Sequence, residues 1–264
     1  MWIPNSLMEW LQSPWLSFAV LLNTRISGFL ITAPFFKNPG FNMRLKLFIS
    51  VGLTLCFASV LPNTLPHAPT SPLAFALWAL QELGIGLLLG FLSSLVLESL
   101  GVAGEVLAML SGLSNAQIMD PTTGHNSQVI TGCLMQLGLM IILCSNLHHS
   151  LLQILYLTFE QVPLQAWFST GDLDDLFKRV LFLAGQLFSI GLLVAAPMHA
   201  TLFLVEVCTA YISKTMPQMH IIQILTPMKT LSALGILLAF LPFAVDSMTH
   251  YWGIHLKHLT QVFK

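Results

Sequence analysis

The residues of this sequence that could do chemistry are a few charged side chains within long apolar stretches. Arg25 lies about eleven residues into the first apolar stretch, Glu82 lies in the third, and Glu105 follows it. A basic residue at the middle of a bilayer costs about 2.5–3.5 kcal/mol on insertion scales. One interpretation therefore pairs Arg25 with Glu82 or Glu105 inside an assembly. The alternative places Arg25 near an interface, where its side chain reaches the lipid headgroups.

The two glutamates have two interpretations of their own. An intramembrane carboxylate is a candidate functional group, so Glu82 and Glu105 could relay protons in a transporter. They could instead be structural residues that form an ion pair or cap a helix. The sequence alone leaves both interpretations open.

The adjacent histidines His148 and His149 suggest a metal site or an acid–base pair. Neighbouring residues of a helix point about 100° apart, whereas metal-binding pairs prefer a spacing of four residues. No HExxH motif, nucleophile elbow or phosphate-binding loop is present in the sequence. We therefore expect no catalytic residue, no metal and no cofactor. The four cysteines lie in apolar stretches without CxxC spacing and are expected to be small buried side chains.

Three glycines, Gly84, Gly86 and Gly90, lie within one apolar stretch. Their spacing does not fit a dinucleotide-binding loop. Small residues four positions apart in an apolar helix instead let a second helix approach closely. The pattern predicts a helix-packing face at Gly86 and Gly90.

The most informative stretch is residues 108–127, AMLSGLSNAQIMDPTTGHNS. Its glycines and its Asp120-Pro121 pair interrupt any helix, yet it is more apolar than a surface loop. Two interpretations remain open: a loop that lines or closes a pore, and a buried re-entrant loop without a gating role. Its methionines would suit a deformable seal, because their side chains are unbranched and flexible.

The composition defines the kind of protein that must position these residues. Of 264 residues only 8% are charged, 55% are hydrophobic, and the mean hydropathy is +0.79. So few charges exclude a soluble globular enzyme, a disordered protein and a nucleic-acid binder. The net charge of −1 leaves no overall basic field to attract nucleic acid or an anionic lipid surface.

The hydrophobic pattern predicts an all-α, multi-pass helical membrane protein with broken helices and a pore-lining loop. We expect one integral membrane domain over residues 1–264, with helix breaks at Pro34, Pro197 and Pro217. Residues 169–175 look like the clearest solvent-exposed loop. The six apolar blocks are 15–36, 47–61, 73–96, 129–147, 180–207 and 231–245, with irregular inserts at 98–128 and 148–179.

Basic residues indicate the orientation of the first two blocks. Lys37, Arg44 and Lys46 lie between them, which marks that connection as cytoplasmic and places the N-terminus outside. From Leu47 to Phe177 there is no Lys or Arg, so the orientation of the middle helices is not predicted.

A set of short motifs, in order along about 200 residues, resembles one known family. The sequence is similar to the FliR/SpaR/YscT family, the R-type subunit of the bacterial flagellar and type III secretion export gate. The family usually has Arg at Lys214, Asn at His220 and Gly at Leu147, and here the chain departs from it. The Gly-Leu-Ser form of this motif resembles the one in the flagellar branch of the family more than the one in the injectisome branch. The motifs are Arg25, Pro34, Ala103-Gly104-Glu105, Gly112-Leu113-Ser114, Asp120-Pro121, Asn146, His148, Pro163, Ala196-Pro197 and Lys214-x-x-Pro217-Gln218.

The resemblance implies a function without enzymatic activity. R-type subunits join P-type and Q-type subunits in a closed helical hetero-oligomer, with the R-type subunit in a single copy. The assembly lies in the bacterial inner membrane at the flagellar basal body, contacts a B-type switch subunit, and passes unfolded proteins outward. By this resemblance the channel plug consists of Gly112, Leu113, Ser114, Ile118, Met119, Asp120 and Pro121, with Leu113, Ile118 and Met119 as its apolar seal.

Two alternatives accompany this prediction. One is the same subunit in a virulence injectisome. The other is a proton-coupled transporter of small solutes, using Glu82 and Glu105, whose helices broken at Pro34 and Pro197 would form half-helix binding sites. Against the transporter, the two halves of the sequence show no convincing internal repeat.

Overall fold

The structure, a computed structural model, describes residues 13–37, 41–61, 71–111, 129–164, 170–215 and 221–262. These residues form helices and no strand, so the predicted all-α class is confirmed. The helices are α1 Pro14–Thr32, α2 Met43–Val60, α3 Pro72–Leu110, α4 Val129–Cys144, α5 Leu147–Gln161, α6 Thr170–Thr215 and α7 Ile221–Val262.

Five of these helices contain a stretch long and apolar enough to cross a bilayer. A sixth span forms if α4 and α5 are counted as one broken span. The count agrees with the predicted multi-pass protein of about six spans. The five stretches are Trp15–Thr32, Met43–Val60, Pro72–Leu110, Ala195–Thr215 and Pro227–Leu256.

Proline sets both ends of α1. Pro14 occupies the first turn, where its missing N–H would have no helical partner anyway. The helix ends at Thr32, and Ala33 is extended with φ −61° and ψ 141°. A residue before proline is pushed out of the helical region, so Pro34 lies just beyond α1 rather than within its last turn. The helix thus ends four residues before the predicted boundary at residue 36.

Helix α3 is longer than predicted. The prediction of irregular structure from residue 98 is wrong as far as Leu110, because the helix continues through Gly101 and Gly104. An interior glycine costs only about 1 kcal/mol, and packing can offset that cost. A Cβ at Gly104 would lie 2.8 Å from the Cα of Thr131, so this glycine is required by a close crossing of α3 and α4.

A two-residue turn separates α4 from α5. Asn146 adopts a left-handed conformation with φ 55°, which asparagine tolerates better than most residues. The predicted block 129–147 therefore ends early, at Cys144. The predicted irregular insert 148–179 is wrong at 148–161, which is α5, and again from Thr170, where α6 begins.

Helix α6 runs for 46 residues and corrects two predictions. The expected loop at residues 169–175 is helical from Thr170, since Ser, Thr, Gly and Asp are also typical of a helix start. The predicted helix break at Pro197 is wrong, since Pro197 lies inside the continuous helix α6. An interior proline removes one backbone hydrogen bond and bends a helix, but it does not have to end one. Helix α7 likewise contains Pro227 and Pro242 and exceeds the predicted block 231–245 on both sides.

The chain divides into two compact units. Unit 1 comprises Met1–Ser94, His148–Leu183 and Leu256–Lys264, and unit 2 comprises Leu95–Leu147 and Ala184–His255. Unit 1 has a core of fully buried aliphatic residues that includes Leu22, Ile26, Leu89 and Leu155. In unit 2, the buried residues Leu107, Leu134, Met198, Leu202 and Ala233 form one cluster. The expectation of a single integral membrane domain stays a prediction.

The surface of the chain suits an apolar surrounding. Large side chains such as Phe48, Phe182 and Phe203 are exposed, whereas buried hydroxyls such as those of Ser93 and Ser99 donate to carbonyls of their own helix. Without water, polar groups must be satisfied internally. The four cysteines are also exposed on the chain, so the expectation that they are buried is wrong.

Candidate functional site

The most unusual group in the described residues is a buried ion pair in unit 1. The Nε of Arg25, on α1, donates to Oε2 of Glu82, on α3, at 2.6 Å. Both side chains are almost completely buried, with exposed fractions of 0% and 1%. A buried charge is costly unless it is paired and hydrogen-bonded, so each of these residues requires the other. Of the two candidate carboxylates, Glu82 is the one that binds Arg25, and Glu105 is exposed on the part of α3 in unit 2.

Arg25 also binds the C-terminal end of α5. Its Nη1 donates to the carbonyl oxygens of Thr158 at 2.9 Å and Val162 at 3.1 Å, and its Nη2 donates to Val162 at 3.1 Å. The last carbonyls of a helix have no partner within that helix and carry its negative dipole end. The guanidinium therefore acts as a C-terminal cap, and Pro163 directly follows the capped residue.

Aromatic side chains cover the guanidinium. Its Cζ lies 4.5 Å from the centre of the Phe159 ring, a distance suited to a cation–π interaction. Phe57, on α2, packs edge-on against Phe159 and Tyr156, each with ring centres 6.1 Å apart. We call Arg25, Glu82, Phe159 and the carbonyls of Thr158 and Val162 the arginine clasp. The clasp joins α1, α3 and α5.

Glycines on the same helix faces allow the clasp to form. Gly28 follows Arg25 by three residues, and Gly86 follows Glu82 by four, so each lies beside the charged residue on its helix. A Cβ at Gly28 would lie 2.7 Å from the carbonyl oxygen of Leu83, and a Cβ at Gly86 would overlap the carbonyl oxygen of Arg25. The backbones of α1 and α3 are therefore in direct contact at this crossing.

The same seam continues one turn further along α3. A Cβ at Gly90 would lie 2.6 Å from the carbonyl oxygen of Phe29 and would overlap Oγ1 of Thr32. That hydroxyl donates across the seam to the carbonyl oxygen of Leu87 at 3.0 Å. Gly84 differs from the other two glycines of the motif, because nothing lies within 4 Å of a Cβ placed there.

Unit 2 has polar contacts of a different kind. The Nε2 of His199, on α6, lies 3.3 Å from the carbonyl oxygen of Ala103, within reach of a hydrogen bond. A Cβ at Gly191 would lie 2.9 Å from the carbonyl oxygen of Ser99, so α6 crosses α3 closely there. Lys229, on α7, donates to Glu206, on α6, at 2.8 Å, and this pair is partly exposed.

The two adjacent histidines make aromatic contacts with each other and with a neighbouring ring. Their ring centres are 4.2 Å apart, and His148 also packs edge-on against Phe35. Within the described ranges, no three His, Cys, Asp or Glu side chains come close enough to hold a metal ion. The Nδ1 of His148 is buried without a hydrogen-bond partner.

The predicted channel plug lies outside the described residues. This applies to Gly112, Leu113, Ser114, Ile118, Met119, Asp120 and Pro121, and also to Pro217. The plug assignment therefore stays a prediction. Its neighbourhood is only partly described: α3 ends at Leu110 on one side, and α4 begins at Val129 on the other.

Sequence reasoning missed several parts of the clasp. Gly28 could have been found from its spacing of three residues from Arg25 and four from Thr32, which places all three on one face of α1. The carbonyls of Thr158 and Val162 gave no signal, because every residue has a carbonyl. Phe159 was one of many aromatic residues in an apolar stretch.

The sequence of the chain is similar to known proteins along most of its length. A family model described as "Bacterial export proteins, family 1" matches residues 16–254. A protein of Escherichia coli (strain K12) named "Flagellar biosynthetic protein FliR" is 28% identical over 248 residues, covering 93% of this chain and 91% of its own. Proteins with the same name match from Bacillus subtilis (strain 168), 28% identical over 80% of each chain, and from Caulobacter vibrioides, 23% identical over 93% of this chain and 95% of its own.

Proposed function

The chain belongs to the bacterial export proteins, family 1, and from that membership we propose that it is a membrane subunit of the flagellar protein-export gate. It helps to form, and at rest to close, the channel through which unfolded flagellar proteins leave the cytoplasm. The observation that carries this proposal is the family match over residues 16–254, which includes all five candidate spans except Trp15 and the last two residues of Pro227–Leu256. The names of the matched relatives favour the flagellar system over an injectisome.

In this proposal the chain works within a hetero-oligomer in the bacterial inner membrane. P-type and Q-type subunits surround a single copy of it, and a B-type switch subunit docks on the assembly. The many large apolar side chains exposed on the chain, such as Phe182 and Phe203 on α6, support burial against lipid and other subunits.

The arginine clasp has a structural role in this proposal. A guanidinium that binds Glu82, two carbonyls and an aromatic ring fixes the end of α5 against α1 and α3. The clasp thereby holds one arm of the broken span rigid. The other arm, α4, begins at Val129, and residues 122–128 connect it to the predicted plug. We propose that the gate opens by movement of that loop while the clasp keeps its half of the molecule fixed.

A proton-coupled transporter is the less favoured alternative. A relay carboxylate must exchange its proton with water, whereas Glu82 is 1% exposed and bound to Arg25. Glu105 is exposed, but it lies in the other unit. The two glutamates that the transporter hypothesis requires therefore have different surroundings.

Native mass spectrometry of the tagged chain, expressed with its genomic neighbours and extracted in detergent, tests the proposal. We expect one hetero-oligomer of small helical membrane proteins that contains this chain once. A monomer or a homo-oligomer that remains intact without partners would contradict the proposal.

A further inference from the structure

One ion pair interrupts the apolar surface of unit 2. Nζ of Lys229, on α7, donates to Oε2 of Glu206, on α6, at 2.8 Å. From residue 180 to residue 245 the sequence contains only one further Lys, Arg, Asp or Glu, which is Lys214. The pair therefore stands alone within two long apolar helices, and its surroundings indicate what covers this part of the chain.

The ion pair lies deep along its helices. Glu206 is preceded by 11 residues of the candidate span Ala195–Thr215 and followed by nine. Lys214 is exposed in the last turn of α6, about 12 Å beyond Glu206 at 1.5 Å per residue. Basic residues near the ends of spans reach the headgroups, so Lys214 marks the edge of the hydrocarbon. Glu206 then lies near the middle of a core of about 30 Å.

The pair is not enclosed by its own chain. The side chain of Glu206 is 44% exposed and that of Lys229 is 21% exposed, whereas the clasp residue Glu82 is 1% exposed. The second carboxylate oxygen of Glu206, Oε1, accepts no hydrogen bond from the described residues. Charged side chains at this depth face protein or a water-filled cavity, because acyl chains offer them no hydrogen bond. Lipid therefore does not cover Glu206.

Apolar side chains flank Glu206 on its exposed side. Phe203 precedes it by three residues and Ala210 follows it by four, so both lie beside it on one face of α6. Phe203 is 59% exposed, and Ala210 is exposed as well. A water-filled passage favours a polar lining, whereas an apolar surface around one polar group is typical of a protein interface. The side chain of Ala210 is also small enough for a second helix to approach closely.

We propose that Phe203, Glu206 and Ala210 form a docking face for an apolar helix of another subunit. That helix brings an uncharged hydrogen-bond donor, a hydroxyl or an amide, to Oε1 of Glu206. An uncharged donor fits because the ion pair is already neutral, and a third charge at this depth would stay uncompensated. The docking face rests on the proposed function in one respect only, since it requires an assembly of several subunits.

Two labelling experiments on the full chain within its purified complex test the docking face. With p-benzoylphenylalanine in place of Phe203, we expect a photo-crosslink to a stoichiometric subunit, at a peptide that contains Ser, Thr, Asn or Gln. In a chain whose four cysteines are replaced by alanine, Ala210→Cys should remain unlabelled by a water-soluble maleimide. The first experiment distinguishes a subunit from lipid, and the second distinguishes a subunit from a water-filled passage.

Variants of the ion pair test the hydrogen bond to the partner. Glu206→Leu with Lys229→Leu removes both charges together, so no unpaired charge is left in the chain. The partner's donor then loses its acceptor, which should lower the affinity of this chain for the complex about tenfold. Glu206→Gln with Lys229→Met is the matched control, because it restores an uncharged acceptor at residue 206 and should retain most of the affinity. Native mass spectrometry over a dilution series measures all three chains.

The results separate this docking face from the proposed function. A hetero-oligomer in which residue 203 crosslinks only to lipid, or in which Ala210→Cys is labelled, would overturn the docking face and leave the export gate standing. Wild-type affinity in the double leucine variant would overturn the hydrogen bond to Glu206. A chain that forms no hetero-oligomer would overturn both the docking face and the proposed function.

Discussion

The guanidinium of Arg25 and the carboxylate of Glu82 form a hydrogen-bonded ion pair of 2.6 Å with almost no exposure to solvent. The pair joins α1 to α3 at a crossing where glycines bring the two backbones together. Because the same guanidinium caps α5, one side chain connects three helices that are far apart in the sequence. This arrangement predicts which substitutions the chain tolerates.

Glu82→Gln should destabilise the protein by about 3 kcal/mol, because it leaves the charge of Arg25 buried without its partner. Glu105→Gln is the matched control, since Glu105 is exposed on the same helix and should change stability by less than about 0.5 kcal/mol. Thermal unfolding of the purified variants in detergent measures both effects. Equal midpoints for the two variants would show that the ion pair does not hold unit 1 together.

Arg25→Lys should also be strongly destabilising, although it keeps the charge. A lysine ammonium lacks the planar fork that binds Glu82, Thr158 and Val162 together. The expected loss is about 2 kcal/mol or more, from unsatisfied carbonyls at the end of α5.

The double variant Arg25→Met with Glu82→Leu tests whether the charges of Arg25 and Glu82 interact directly. Removing both charges avoids an unpaired buried ion, so the double variant should be more stable than Arg25→Met alone. Additive losses of stability in the two single variants and the double variant would contradict a direct ion pair.

The glycine seam predicts a second contrast. Gly86→Ala and Gly90→Ala should each cost about 2 kcal/mol or more, because the added methyl group would meet backbone atoms of α1. Gly84→Ala should be neutral or stabilise by up to about 1 kcal/mol, since its Cβ would meet nothing within 4 Å. Yields and unfolding midpoints of the three variants provide the comparison. Equal effects at all three positions would mean that α1 and α3 do not cross there.

The plug hypothesis predicts a leak. Deletion of residues 112–119 should let ions or small solutes cross the membrane while the protein still assembles. Replacing the same residues with a Gly/Ser linker of equal length should also cause a leak, because it removes the apolar side chains of Leu113 and Ile118. Conductance of membranes that contain the assembled variants is the measurement. A tight membrane after the deletion would rule out the plug.

The sequence predicted the fold class and the number of spans well, because both depend on composition and on apolar length. It predicted boundaries poorly where helices continue through residues that usually end them. Gly104 and Pro197 lie inside helices because tertiary contacts and long apolar flanks offset their local cost. Local propensity carries no information about those contacts.

The candidate site was predictable only in part. Arg25 and Glu82 stood out because charges are rare in apolar stretches, but the sequence could not choose between Glu82 and Glu105. That choice depends on how α3 crosses α1, which the glycines at 28 and 86 determine. The cap on α5 was beyond prediction, because it uses backbone carbonyls 133 and 137 residues away from Arg25.

The most direct test of the central claim is protein export by a strain that lacks this gene. We predict that the strain secretes no flagellar proteins into the medium and does not swim. The wild-type chain and the Glu105→Gln variant should restore both, and Arg25→Met should restore them poorly. Normal secretion of flagellar proteins by the deletion strain would contradict the account.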